Sequence, residues 1–334
     1  MENTIVDITN NSSSPELASL ANSDDWSVRC AVAENLNTPA ETLTKLATDK
    51  EPYVRRAVAG NTSTLVETLN KLAEDKDWLV RRAVAGNINT SVEVLDRLAK
   101  DDNGNVRLAV AKNTNAPAEV LDELAGNDDW NVWWAVAGNP STRGETLNRL
   151  ATDKKLGVRE AVARNPGTPA ETLTKLATDE DWEIRQSVAE NPSAPAETLN
   201  KLAEDKDWLV RRAVGKNTSA SDNALKKLAT DMSWSVREAV ARNNSAPDEV
   251  LDELATYGDR DIRRAVAGNP NATETILLMA CRDHSPSVRE AVARNPKIPP
   301  EAVKRLSLSK VSLIRKALSE NPSVPEHIRV GLSL

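Results

Sequence analysis

The chain has 334 residues, 40% of them hydrophobic, with eight Trp, two Tyr and no Phe. So few rings cannot fill two ordinary globular cores, so the interior has to be built from Val, Ala and Leu. A charged fraction of 28% and a net charge of -7 suit a soluble protein and argue against a general DNA-coating surface, which needs a basic excess.

Cys30 and Cys281 are too few for a disulfide framework or a Cys-rich metal cluster. His284 and His327 leave little for zinc or His-based acid–base chemistry. No cofactor is expected.

In chain order, the opening MENTIVDITNNSSS has neither a basic n-region nor an apolar h-region, so no signal peptide is expected. Residues 1–14 read as a disordered N-terminal segment, and residues 15–334 as a single repeat array. No run of about 18 apolar residues occurs, so no membrane span is expected, and the chain is placed in the cytoplasm. Leu17, Leu20 and Ala21 form a half-repeat that reads as an N-terminal cap.

A 26-residue period then takes over. The Val of W-x-V-R, first met at Val28, returns as Val or Ile up to Ile314, twelve copies with no insertion or deletion. An Asn stands seven residues after every anchor, from Asn35 to Asn321. An Arg follows the anchor in eleven copies, Trp133 being the exception.

Each copy predicts two short helices. In the first, Trp26 to Glu34 puts Val28, Ala31 and Val32 on one face, with Asp25 as N-cap. Asn35 interrupts, because Asn tolerates the left-handed conformation that ends helices. Thr38-Pro39-Ala40-Glu41 reads as a second start, with Thr as N-cap and Pro in the first helical position. The second helix then runs through Leu43, Leu46 and Ala47 to near Asp49. At about nine residues each, the choice between α and 3₁₀ stays open.

One copy buries about five side chains, roughly 5–10 kcal/mol of transfer free energy. Ordering its residues costs on the order of 30–40 kcal/mol. A copy cannot fold alone, so stacked neighbours must supply the rest. Ile328 and Leu332 complete a degenerate last copy that closes the array.

The pattern V-R-x-A-V-A-x-N-P-x-T-P-x-E-x-L-x-x-L-A, as it stands from Val158 to Ala177, resembles the leucine-rich repeat variant family, over nearly the whole chain. The resemblance implies an all-α fold: a right-handed, HEAT-like helical solenoid of alternating α and 3₁₀ helices without strands. It implies a binding scaffold more than any particular activity. The iron–sulfur cluster of the family's best-known member does not carry over, since Cys30 stands alone.

Differences among the copies point to a surface. Four positions vary: two before, one before, two after and six after the anchor. The last three share a face of the first helix and would merge into a strip when copies stack. Arg56 with Gly60, Arg82 with Gly86 and Arg264 with Gly268 covary there, as do Glu160 with Arg164, Glu238 with Arg242 and Glu290 with Arg294. Candidate contacts are Tyr53, Arg56, Leu79, Arg82, Leu108, Trp130, Trp133, Trp134, Leu209 and Arg212. The fifth copy alone holds three Trp, a plausible hot spot.

The constant Arg row reads as a structural ladder with Asp49, Asp75, Asp101, Asp153, Asp179, Asp205 and Asp231, against a phosphate-binding alternative. Six Trp two places before the anchor read as helix-start packing. Asp101 to Asn105 lacks the Gly and Glu of a calcium loop, and no catalytic triad is recognisable. TPAETLTKLATD at 38–49 recurs identically at 168–179, which suggests block duplication or deliberate assembly. The expected function is a non-catalytic scaffold binding a protein or peptide through the strip. The alternative is nucleic-acid binding through a local basic groove.

Overall fold

A computed structural model describes residues 13–333, which form 25 α-helices and no strand. Residues 1–12, most of the segment expected to be disordered, lie outside the described residues. Ser13 caps the first helix, Ser14–Leu20, with a Glu16 capping box, so that helix begins within the expected tail. Among the described residues no helix is long and apolar enough to cross a membrane. By contact density the chain divides into two units, residues 1–169 and 170–334, described separately below.

In the first unit, nine-residue first helices such as Trp26–Glu34, Pro52–Gly60, Trp78–Gly86, Gly104–Lys112 and Trp130–Gly138 alternate with seven-residue second helices such as Ala40–Leu46 and Val66–Leu72. Each first helix packs on the next first helix. The second unit repeats the alternation, with Trp182–Glu190 followed by Ala196–Leu202 and Trp208–Lys216 by Asp222–Ala229. Both elements are α-helical, which decides the α or 3₁₀ question.

First helices start where expected. The Asp25, Asp77, Asp129 and Asp207 carboxylates each accept the N–H two residues on. Asn103 does the same for Asn105, so the segment resembling a calcium loop is a helix cap. The anchor Val, the Val four residues on and the following Ala are buried, and they meet two Leu of the second helix, as with Val54, Val58, Ala59, Leu69 and Leu72. No Phe is needed in so thin a layer.

Second helices start differently from the expected pattern. Pro39, not Thr38, takes the N-cap position of Ala40–Leu46. Thr38 is buried, and its hydroxyl donates to the Val32 carbonyl at 2.6 Å. Thr64, Thr90, Thr142 and Thr168 make the same bond. That carbonyl already accepts the Asn35 N–H, so what the bond satisfies is the buried hydroxyl itself, a need that outweighs capping at an exposed start where water serves as well. Ala116, Ala220 and Ala246 fill that slot elsewhere by size alone.

The constant Asn also acts otherwise than expected. Among the described residues no φ is positive, and Asn35 is extended, with φ -71° and ψ 123°. The side chain is what the position requires. Asn61 Nδ2 donates to the carbonyls of Ala33 (2.8 Å) and Asn35 (2.9 Å), one repeat back. Its Oδ1 accepts the Ser63 N–H at 2.8 Å. Asn87, Asn113, Asn139 and Asn165 repeat the pattern through the first unit. In the second unit Asn217, Asn243, Asn269, Asn295 and Asn321 do the same.

Replacing Asn87 by Ala strands the Ala59 carbonyl and the Asn89 N–H and leaves the Asn61 carbonyl only the Thr64 N–H. The expected loss is about 2–4 kcal/mol, read as a lower urea midpoint. Asn87→Asp should be worse, since it turns an acceptor toward two carbonyls; a cost below that of Ala would refute this role.

Candidate binding surface

Two faces of the first helices carry the side chains singled out by the repeat. The first holds the Arg row, which forms the expected ladder except at Asp153, where Trp133 takes the place of the Arg and the carboxylate accepts the Lys155 N–H instead. Arg55 Nε and Nη2 donate to the two carboxylate oxygens of Asp75 at 2.5 and 2.9 Å. Its Nη1 donates to the carbonyls of Asp49 (2.7 Å) and Lys50 (3.1 Å). Arg29 with Asp49, Arg81 with Asp101, Arg185 with Asp205 and Arg211 with Asp231 match it. Each Asp thus receives one Arg on its carboxylate and the next on its carbonyl.

The spacing of 20 residues also pairs Arg263 with Asp283, which the sequence reading missed although a fixed offset from the Arg would have found it. These guanidinium groups are spent on internal partners, which removes them as a phosphate-binding row.

The ladder breaks where its partner changes. Arg107 meets Asn127 at 3.4 Å, and its buried Nε has no acceptor among the described residues. Arg237 lies over the Tyr257 ring, 4.8 Å from its centre. Trp133 stands in the ladder slot, half-buried, with its indole N–H buried and unpartnered.

Burial works to raise the pKa of Asp75, but the hydrogen bonds from Arg55 and the Asp77 amide, with the guanidinium charge, hold it below the usual carboxylate value. Asp49, Asp101, Asp205, Asp231 and Asp283 are held down in the same way. A folded pKa below the unfolded one stabilises above the unfolded value, near 3.9, and that stability is lost as pH falls through the folded value. Stability should hold down to about pH 4–5 and drop below it. The deficit of Asp75→Asn against the parent should narrow over the same range; a constant deficit would remove Asp75 from the ladder's pH response.

The second face is the variable strip. Arg56, Leu79, Arg82 and Leu108 come together on a groove of about 460 Å³, with Lys112 at its far side. Trp134, 43% exposed, lines a second groove of about 430 Å³, and Lys112 Nζ stands 5.2 Å from its ring centre. Arg264 lines a third groove in the second unit.

Glycine marks all three. Gly60 and Gly86 lie in the first groove, Gly138 in the second and Gly268 in the third. A Cβ at Gly60, Gly86 or Gly138 would meet nothing within 4 Å, so sterics do not demand glycine there. Its effect is to leave the floor open.

The remaining candidates are scattered. Tyr53 packs beside Trp26, ring centres 5.6 Å apart. Trp130 is 45% exposed at its helix start, and Trp26, Trp208 and Trp234 are comparably exposed. Trp133 belongs to the ladder face, so the three Trp of the fifth copy do not form one cluster. Leu209 and Arg212, both half-exposed, belong to the second unit.

Where copies carry Glu and Arg instead, the expected helix-surface pairs form: Glu160 with Arg164 at 2.7 Å, Glu238 with Arg242 at 2.9 Å and Glu290 with Arg294 at 3.2 Å. By contrast, Arg56, Arg82 and Lys112 make no ion pair among the described residues. Cys281 is buried and Cys30 half-buried; burial first, then Glu34 in the case of Cys30, raises both thiol pKa values, so neither is an activated thiolate.

The fold and this surface define a helical-repeat scaffold: a hydrogen-bonded frame presenting one variable face. It carries repeats that match the model of the leucine rich repeat variant family at residues 26–51, 156–181 and 182–207. A solved structure described as a leucine-rich repeat variant with a novel repetitive structural motif is similar at 28% identity, over 66% of this chain and 87% of that one, with a TM-score of 0.48. Kap121p bound to RanGTP is similar at 12% identity over 95% of this chain and 50% of its own, TM-score 0.47. Importin β is similar at 10% over 96% of this chain and 50% of its own, TM-score 0.37. The chain therefore spans half the length of those last two. Among curated proteins, nothing matches.

Gly86→Ala should stabilise the Trp78–Gly86 helix by about 0.5–1 kcal/mol, since Ala costs less backbone entropy and has room. A fall in melting temperature would mean that the glycine serves the fold.

Proposed function

We propose that the chain is a non-catalytic repeat scaffold that holds a protein or peptide segment along the strip of first-helix residues. The observation that carries this reading is the set of glycine-floored grooves. At the same slot of the frame the helix forgoes a more stable Ala, and the open floor of the first groove is rimmed by Arg56 and Arg82, which make no ion pair among the described residues. Around the first groove Leu79 and Leu108 supply apolar contact and Arg56 and Arg82 supply charge; Trp134 adds area at low entropy cost beside the second. The ladder groups stay engaged within the frame, so the strip can vary without loss of structure.

Nucleic-acid binding through a local basic groove is the second reading, favoured by the unpaired Arg56, Arg82 and Lys112. The run is short for it: the copy before brings a carboxylate to the strip at Glu34 and the copy after brings the uncharged Trp134 and Gly138, where a nucleic acid would need cations to continue.

The test is affinity capture from the source cell's lysate, with and without nuclease, using the parent, Trp134→Ala and Arg82→Glu. Capture should survive nuclease and drop in both variants, while melting shifts stay within about 0.5 kcal/mol, as for exposed sites. A loss of stability that tracks the loss of capture would sink the strip as a binding face.

A further inference from the structure

We infer that the groove over Gly60 and Gly86 takes an extended acidic peptide segment whose carboxylates recur at every third residue. The inference rests on the strip being the binding face and names the chemistry of its occupant. Three adjacent first helices, Pro52–Gly60, Trp78–Gly86 and Gly104–Lys112, pack side by side beneath this groove. They place Arg56, Arg82 and Lys112 on its rim, one cation per helix.

All three are exposed and free of ion pairs among the described residues, in a chain whose net charge is -7. A row of unpaired cations on an acidic protein repels itself, and an anionic occupant relieves that repulsion. The floor is Gly60, Gly86 and the small side chains of Ala83 and Ala109. The Asn87 and Asn113 amides beside it are already bonded to the frame, so specificity falls to the rim.

Geometry sets the spacing. Packed helices lie about 8–10 Å apart, and an extended chain of the polyproline II type advances about 3.1 Å per residue and returns to the same face every third residue. One helix layer therefore corresponds to about three peptide residues, and three cations to carboxylates at positions one, four and seven. Leu79 and Leu108 lie between the cations and offer apolar contact to the intervening residues. Glu34 on the copy before and the uncharged Trp134 and Gly138 on the copy after end the cationic run, which fits a short segment better than a polyanion.

The experiment uses the full chain and fluorescein-labelled heptapeptides, read by anisotropy. One peptide has Glu at its first, fourth and seventh positions; a second has Gln there; a third has the same composition with its Glu adjacent. The spaced Glu peptide should bind at least tenfold more tightly than the Gln peptide and several-fold more tightly than the clustered one. Arg56→Ala and Arg82→Ala should each weaken it about tenfold. Gly86→Leu, which fills the floor and leaves every charge in place, should weaken it as well without lowering the melting temperature.

Equal affinity for the Gln peptide, or binding indifferent to Arg82→Ala, overturns the inference. Equal binding of the clustered peptide overturns the spacing, and displacement by a thymidine oligonucleotide at lower concentration than by the peptide overturns the choice of occupant. If the spaced peptide fails to bind but Trp134→Ala and Arg82→Glu still release the captured partner, the acidic segment falls and the strip stands. If those variants leave capture untouched, the strip falls too.

Discussion

The amide of one Asn per repeat is the interaction on which the rest depends. A helix end leaves carbonyls unpaired, and here those ends are buried by the next copy, where water cannot serve them. Asn61 answers three demands together: it donates to Ala33 and Asn35 and accepts from Ser63. Asp lacks the donors, Ser and Thr lack the second one, and Gln places its amide a methylene too far. The repeat length follows, because the amide must reach the equivalent carbonyls of the copy before it. An insertion would break the ladder at that copy and leave polar groups buried without partners.

The Arg–Asp ladder does related work on another edge. It ties the loop before each first helix to the loop before the next, through a carboxylate on one side and carbonyls on the other. This edge is partly open to solvent, and breaks there are tolerated. Asn127, Tyr257 and Trp133 each interrupt it, by a weaker acceptor, by a ring beneath the guanidinium and by loss of the guanidinium. The Asn ladder shows no such interruption within either unit, because its amide serves a buried helix-end carbonyl, such as that of Ala33, that makes no other hydrogen bond among the described residues.

With both ladders engaged, the outer face of the first helices is released from structural duty. There the repeat carries Arg and Gly in some copies and self-contained Glu–Arg pairs in others. The paired copies carry a salt bridge along the helix; in the glycine copies Arg56 and Arg82 make no ion pair among the described residues, whereas Arg264 meets Asp261 at 3.3 Å. This contrast on one frame separates a solvated surface from one shaped to be filled, and a composition of net -7 conceals it.

The sequence by itself determined the repeat, its two helices, the small-residue core, the Arg–Asp ladder and the slots of the strip, because each of these is a matter of periodicity or of residue type at a fixed offset. It misassigned the reasons for Asn35 and Thr38, since local propensities suggested a left-handed turn and an N-cap. In the folded chain both side chains answer buried carbonyls, those of the copy before for the Asn row and that of Val32 for Thr38. The Asn partners appear only once copies are stacked, and the Thr38 partner only once the turn between the two helices of its own copy is folded. Tertiary structure also decided which strip residues meet: Arg56, Leu79, Arg82 and Leu108 share a groove, whereas Trp133 turns to the ladder. One-residue differences in register rotate a helical side chain by about 100°, and what it then meets depends on the neighbouring layer.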